Sequence, residues 1–219
     1  MKKNFFLAIA GNIGVGKTNL TKALNQKLGW RSYYEPVVNN PYLENFYKDM
    51  QRWSFHLQMF FLSRRFEAQR EFMLIEESFI QDRTIYEDGE VFARTLYEQG
   101  SMTEVDYENY KSLFDLMVSF LRPPDMIIYL EASPEILLGR IENRGRDCEK
   151  SITMEYLSRL DNAYKRWVEK ASSYSRIYRI DTERTNFVKD TDAIESLVEM
   201  LRMEEQNLPS IGALGSKQF

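Results

Sequence analysis

One cysteine, Cys148, and one histidine, His56, stand in 219 residues. A lone thiol excludes an internal disulfide, and a lone imidazole with no cysteine pair beside it argues against a zinc centre. His56, between Phe55 and Leu57 on a helical pattern, reads as a packed or surface side chain, and Cys148 has no partner that would give it chemistry. Positive charge is not in excess either: 29 Lys and Arg against 33 Asp and Glu leave a formal charge of −4, so no broad basic field draws the chain onto nucleic acid. No apolar run reaches the length of a membrane span, and the stretch after Met1-Lys2-Lys3 is too short for a signal peptide, which makes the cytoplasm the expected compartment. Internal repeats are missing, as is any linker rich in Gly, Pro or Ser before about residue 207. With 43% hydrophobic and 28% charged residues, the composition is that of a globular chain rather than a disordered one. One well-buried domain is expected over 1–206, with 207–219, NLPSIGALGSKQF, as a flexible C-terminal tail.

What is present alternates. Apolar, β-rich runs at Phe5–Ala10, around Tyr33-Tyr34, at Ser78–Gln81, Met126–Leu130 and Ile177–Ile180 are separated by stretches of helical period. Helices are predicted at about 17–28, 42–75 (as two), 88–98, 103–121, 134–143, 153–172 and 188–205. This is the pattern of an α/β fold: a five-stranded parallel sheet flanked by helices, with its ligand crevice at the carboxyl ends of the strands.

The first strand runs into GNIGVGKT, residues 11–18, which fits G-x-x-x-x-G-K-[ST]. Gly11, Gly14 and Gly16 permit the left-handed turns that aim the N–H groups of this loop, including those of Asn12, Ile13 and Val15, at an anion at a helix N-terminus. Lys17 is placed to reach β- and γ-phosphates, and the Thr18 hydroxyl to ligate Mg²⁺. Because the strand and helix the motif requires flank it, the loop reads as a nucleoside-triphosphate site.

The same rule draws attention to the residues after the other strands. Glu35, kept out of the helical region by Pro36, is a candidate general base or metal ligand, or a plain loop glutamate. Asp82 and Arg83 of QDRTIYED stand where phosphate-loop proteins hold Mg²⁺ and neutralise phosphate charge, with Asp88 further on; a structural Asp–Arg pair is the other reading. In RIENRGRDCE, Arg140 and Arg144 share a helical face and Gly145 lets Arg146 turn inward. That suggests an Arg-rich lid on transferring phosphoryl oxygens, or simply a basic helix end. Gln58, Phe61 and Arg65, at i, i+3 and i+7, put an amide, a ring and a guanidinium on one face, which suits a heterocycle as well as it suits core packing.

Taken together, GNIGVGKT, EP, NPYLENFYKDMQRWSFHLQ, DRTIYED, RIENRGRDCE and NFVKD resemble the deoxynucleoside kinase family, in order from about residue 4 to 203, and look most like its bacterial deoxyadenosine kinases. The resemblance implies a P-loop kinase fold, transfer of a phosphoryl group from ATP to the 5′-hydroxyl of a deoxynucleoside in nucleotide salvage, Mg²⁺, and a homodimer formed by helices away from the site. It makes Glu35 the general base and Arg83 the arginine that orients it, with Lys17 and the lid arginines Arg140, Arg144 and Arg146 on the phosphates. Thr18 and Asp82 fall on the metal side. Tyr47 and Glu149 would read the 3′-hydroxyl. Gln58 would bond the base, Phe92 stack on it, and Arg65 with Asp88 surround its exocyclic group, while Asn186 and Phe187 lie where the family covers the donor's adenine. Phe61 is bulkier than the small residues some relatives carry on this face, and Leu57 stands where others have an aromatic, two departures that bear on the shape of the base pocket. Deoxyadenosine is the favoured acceptor by resemblance, ahead of deoxycytidine and deoxyguanosine; thymidine is disfavoured because its carbonyl would face Asp88. The runner-up readings are a thymidylate-like monophosphate kinase, which would have to tolerate Glu35 beside an acceptor phosphate, and a nucleotide-binding regulatory protein, for which no N-K-x-D guanine motif exists.

Overall fold

The computed structural model describes residues 4–34, 40–185, 187 and 190–208. Strands β1 (Phe6–Gly11), β2 (Arg31–Tyr33), β3 (Phe79–Asp82), β4 (Met126–Glu131) and β5 (Arg176–Asp181) are all parallel and form one sheet in the order β2-β3-β1-β4-β5. β1 is buried along its whole length, which is why its sequence is a continuous apolar run rather than an alternating one. Its register pairs Phe6 with Phe79 on one side and Leu7 with Met126 on the other.

Helix α1 (Lys17–Leu28) follows β1 directly. Next come α2 (Leu43–Lys48) and α3 (Met50–Met73), the two helices expected between 42 and 75. They part at Asp49, whose extended backbone leaves the helical region and whose carboxylate accepts from the Arg52 N–H at 3.0 Å, an N-cap for α3. Three further helices, α6 (Glu104–Val118), α7 (Pro134–Arg144) and α8 (Met154–Ala171), match their predicted stretches to within about three residues. The last, α9 (Thr191–Gln206), packs beside α1. Residues 209–219, most of the expected tail, lie outside the described residues. No helix among the described residues is long and apolar enough to cross a membrane.

Two expectations need correction. The second strand is Arg31–Tyr33, two residues earlier than the aromatic pair suggested, because pairing to β3 (Arg31 with Phe79) sets the register rather than the Tyr33-Tyr34 pair. The predicted helix 88–98 starts earlier and is not uniform: a short α4 (Ile85–Glu87) precedes it, and 88–98 itself is a π-helical turn Asp88–Ala93 followed by α5 (Arg94–Glu98). At the π-turn α6 approaches so closely that a Cβ on Gly89 would lie 2.6 Å from the Phe114 ring. The wide turn and the missing side chain together let that ring in.

Candidate active site

At the end of β1 the chain turns through Gly16, whose φ of 105° is a left-handed value that costs glycine nothing. Its carbonyl takes the first α1 hydrogen bonds, from Asn19 and Leu20. The Asn12 side chain donates to the Leu157 carbonyl of α8 at 3.0 Å and accepts from Ile13 N–H, which ties the loop down from behind. Lys17 is buried, and its ammonium bonds the carbonyls of Gly11 and Asn12 at 2.8 and 2.9 Å. The Thr18 hydroxyl donates to the Asp82 carboxylate at 2.6 Å, bringing the two expected metal-side groups together across α1 and β3.

Arg83, one residue past β3, has φ 65°, the one positive value among non-glycine residues described. A left-handed arginine is held there rather than preferred. Its N–H bonds the Ile9 carbonyl, its own carbonyl accepts from Arg65 Nη1 at 2.9 Å, and its guanidinium lies over the Phe92 ring, 4.2 Å from the centroid. Immediately after it, Thr84 and Glu87 form a reciprocal capping box on α4. Glu87 is fully buried: it accepts from Thr84 N–H and from the Tyr164 hydroxyl of α8, each at 2.9 Å, and lies 4.0 Å from Arg83 Nε. Burial pushes its carboxyl above the usual carboxylate range, while Arg83 and then Lys17 pull it back.

Further along the cleft, Gln58, Phe61 and Arg65 are buried on one face of α3, as their spacing required. Arg65 is completely enclosed and ion-paired through Nε to Asp88, at the first position of the π-turn. Gln58 Oε1 is buried and has no hydrogen-bond partner among the described residues. On the opposite wall, Arg140 of α7 bonds Thr182 Oγ1 and its carbonyl at 2.9 and 2.7 Å. Arg144 and Arg146 converge on Glu149, with Arg146 Nη1 3.3 Å from Oε1 and Arg144 Nη2 2.5 Å from Oε2. Guanidiniums this close would repel one another, and the chain supplies its own anion between two of them. The Ser151 hydroxyl, just beyond, bonds the Tyr47 carbonyl of α2 at 3.1 Å.

One cavity of about 920 Å³ joins these features. The phosphate loop from Ile13 to Thr18 lines one end and Gln58, Phe61, Asp88 and Phe92 the other. Tyr47, Asp82, Arg83 and Glu149 lie along it, and Arg140, Arg144, Arg146 and Phe187 also line it. The glycine-rich loop and the aromatic side chains of Phe61 and Phe92 open into the same space.

A deoxynucleoside kinase family model matches residues 7–204. This chain belongs to the deoxynucleoside kinase family. It is 40% identical over 201 residues to the deoxyadenosine/deoxycytidine kinase of Bacillus subtilis (strain 168), covering 91% of this chain and 92% of that one. To the deoxyadenosine kinase of Dictyostelium discoideum it is 40% identical over 213 residues, covering 97% and 84%. The solved structure of deoxyadenosine kinase from M. mycoides with bound dATP superposes with a TM-score of 0.79 at 29% identity, covering 91% of this chain and 100% of that chain.

In this deoxynucleoside kinase, Glu35 and Asn186 lie outside the described residues. Gly11, Asn12 and Arg65 stand behind the cavity wall as supports and do not line it. His56 packs among the rings of Tyr42, Trp53 and Phe55. Sequence reasoning passed over Tyr156, Glu87 and Tyr164. Thr182, which directly follows β5, opens the stretch TERTNFVKD that the resemblance places over the donor's adenine, and its bonds to Arg140 were not foreseen. Tyr156 lines the cavity from the start of α8, and no spacing signal distinguishes it from the core aromatics of the same helix.

Proposed function

We propose that this kinase transfers the γ-phosphoryl of ATP to the 5′-hydroxyl of deoxyadenosine in preference to other deoxynucleosides, in nucleotide salvage in the cytoplasm. The continuity of the phosphate-loop end and the ring-binding end of one cavity is the observation that carries the reading. In the proposed reaction the 5′-oxygen attacks the γ-phosphorus, the bond to the β,γ-bridging oxygen breaks, ADP leaves, and the 5′-hydroxyl proton passes to Glu35. Loop N–H groups and Lys17 hold the β- and γ-phosphates. Arg83 orients the reacting groups, and Arg140, Arg144 and Arg146 meet charge on the moving phosphoryl while closing out water, which prevents idle hydrolysis. Asn186 and Phe187 cover the donor's adenine. Tyr47 and Glu149 receive the 3′-hydroxyl, so Glu149 serves both the sugar and the lid.

The donor set fits Mg²⁺. Among the described residues no group of three or more His, Cys, Asp or Glu side chains is placed to hold a metal alone, whereas a threonine hydroxyl bonded to one carboxylate at the loop offers the few hard oxygens that Mg²⁺ takes alongside substrate phosphates. Thr18 and Asp82 would hold it; when bound it neutralises charge on the phosphate oxygens.

Base choice rests on Gln58, Phe61, Phe92 and the Arg65–Asp88 pair. An ionised Asp88 accepts only, which favours the exocyclic amine of adenine or cytosine over the thymine carbonyl. A mispaired buried edge costs about 1–3 kcal/mol, roughly ten- to over a hundredfold in kcat/KM. The test measures ADP release with four deoxynucleosides and four monophosphates on the parent and on Asp88→Asn. Asn is chosen because Ala would strand a fully buried guanidinium at about 3–5 kcal/mol. Thymidine is expected to be poor and to gain relative to deoxyadenosine in Asp88→Asn. A preference for thymidine, an unchanged ranking in the variant, or faster turnover with monophosphates would overturn the reading.

The same proposal includes a homodimer. Val105, Leu116 and Phe120 are exposed on one side of α6 and the turn after it, away from the cavity. Sedimentation equilibrium at micromolar concentration should give twice the mass of the chain; a monomer would remove this part.

A further inference from the structure

The Arg83 guanidinium is carried by a residue in a backbone conformation that arginine does not choose, so something must hold it. Two supports are already described: the Arg65 bond to the Arg83 carbonyl and the capping box beginning at Thr84. A third acts on the side chain. Glu87 presents one carboxylate oxygen to Thr84 N–H and the other to the Tyr164 hydroxyl, and stands 4.0 Å from Arg83 Nε. Tyr164 also meets the edge of Phe92, the ring beneath the Arg83 guanidinium, at 6.1 Å and 87°. Tyr164 in turn is clamped between Tyr129 and Trp167 and is wholly buried. Neither Glu87 nor Tyr164 lines the cavity.

We propose that Glu87 and Tyr164 are positioning residues for phosphoryl transfer: a buried brace running from α8 to the end of β3 that aims the Arg83 guanidinium at the reacting end of the cavity. The inference rests on the reading of Arg83 given above. Carboxylate charge opposite Nε fixes the guanidinium's tilt, the tyrosine hydroxyl fixes the carboxylate, and the tyrosine ring fixes the platform on which the guanidinium lies. Retaining an ionisable group in a fully dry position opposes folding unless it is paired and hydrogen-bonded, and Glu87 accepts at both oxygens and faces a cation. An apolar residue would have filled the space with less cost, and would have left the arginine without a counter-charge.

The test uses near-isosteric changes. In Glu87→Gln the amide oxygen can keep the Thr84 bond and the amide N–H₂ can donate to the Tyr164 oxygen, so mainly the charge is lost. Tyr164→Phe removes one oxygen. Each is expected to lower kcat roughly ten- to a hundredfold, the scale of a small misplacement of a reacting group, with KM for ATP changed less than threefold. The deciding measurement is a double-mutant cycle. On an Arg83→Ala background neither change should lower kcat further, because both act through Arg83. Additive losses on that background, or kcat within threefold of the parent in both single variants, would overturn the brace. If Arg83→Ala alone left kcat intact, the role given to Arg83 would fall first and the brace with it, whereas a large Arg83→Ala loss beside normal Glu87→Gln and Tyr164→Phe enzymes would leave Arg83 in place and remove the brace alone.

Discussion

Glu87 carries a consequence for pH as well as for catalysis. Its folded-state pKa is raised by burial, with Arg83 and Lys17 opposing, so the native chain holds a proton at a pH where the unfolded chain, with its glutamate near about 4.3, has released it. In that window the native state binds more protons than the unfolded state, and stability therefore falls as pH rises. Glu87→Gln removes this slope. Urea unfolding of parent and variant should show the variant gaining relative to the parent as pH rises through the window; a parallel pair of curves would mean that Glu87 titrates normally. Glu35 is the second residue on which much depends. As the proposed proton acceptor it contributes about 10²–10⁴-fold, so Glu35→Gln should lose that much in kcat while equilibrium binding of ATP, which the phosphate loop governs, stays nearly unchanged. Turnover within tenfold of the parent would take Glu35 out of the reaction. Among candidate-site residues, placements that follow one local pattern were legible in the sequence: the strand-to-helix turn at Gly11–Thr18, and the shared buried face of Gln58, Phe61 and Arg65 on α3. Glu87 and Tyr164 were not, because their partnership joins α4 to α8 and no spacing along the chain encodes it.

Between elements, the π-turn that carries Asp88 and Phe92 packs directly against α6. Gly89→Ala would push a methyl into the Phe114 ring, and overpacking of this kind costs about 1–3 kcal/mol. The variant should unfold at lower urea concentration, and Gly89→Ala combined with Phe114→Leu, which clears the space, should recover part of the loss; an Ala variant as stable as the parent would show that α6 can yield. The same contact explains a miss. Apolar periodicity over 88–98 reads correctly as helix, yet periodicity cannot distinguish an α-turn from a π-turn that one glycine and one distant ring make possible. By contrast the break between α2 and α3 was legible in kind, since a capping aspartate announces a new helix. The end of β2 was not, because a three-residue strand takes its register from its neighbour rather than from its own composition.

Across the whole molecule, five β-rich runs alternating with helical stretches were enough to indicate a parallel α/β sheet, because parallel strands require a crossover and helices provide it. The order of the strands was beyond the sequence, and that order has a further effect. Of these five strands, the first to be synthesised lies at the centre. Until β3 and β4 leave the ribosome, the run Phe5-Phe6-Leu7-Ala8-Ile9-Ala10 has no partner on either side, and its register with Phe79 and then Met126 closes only late. Long-range parallel pairing of this sort is slow, and the unpaired apolar strand invites association with other chains. Chains arrested before Met126 emerges should remain sensitive to protease and draw chaperone, and protection should appear once β4 is free; protection of chains that end soon after α1 would contradict this. On that expectation the phosphate loop, though encoded ahead of β2 to β5, is among the last parts of the kinase to acquire its shape.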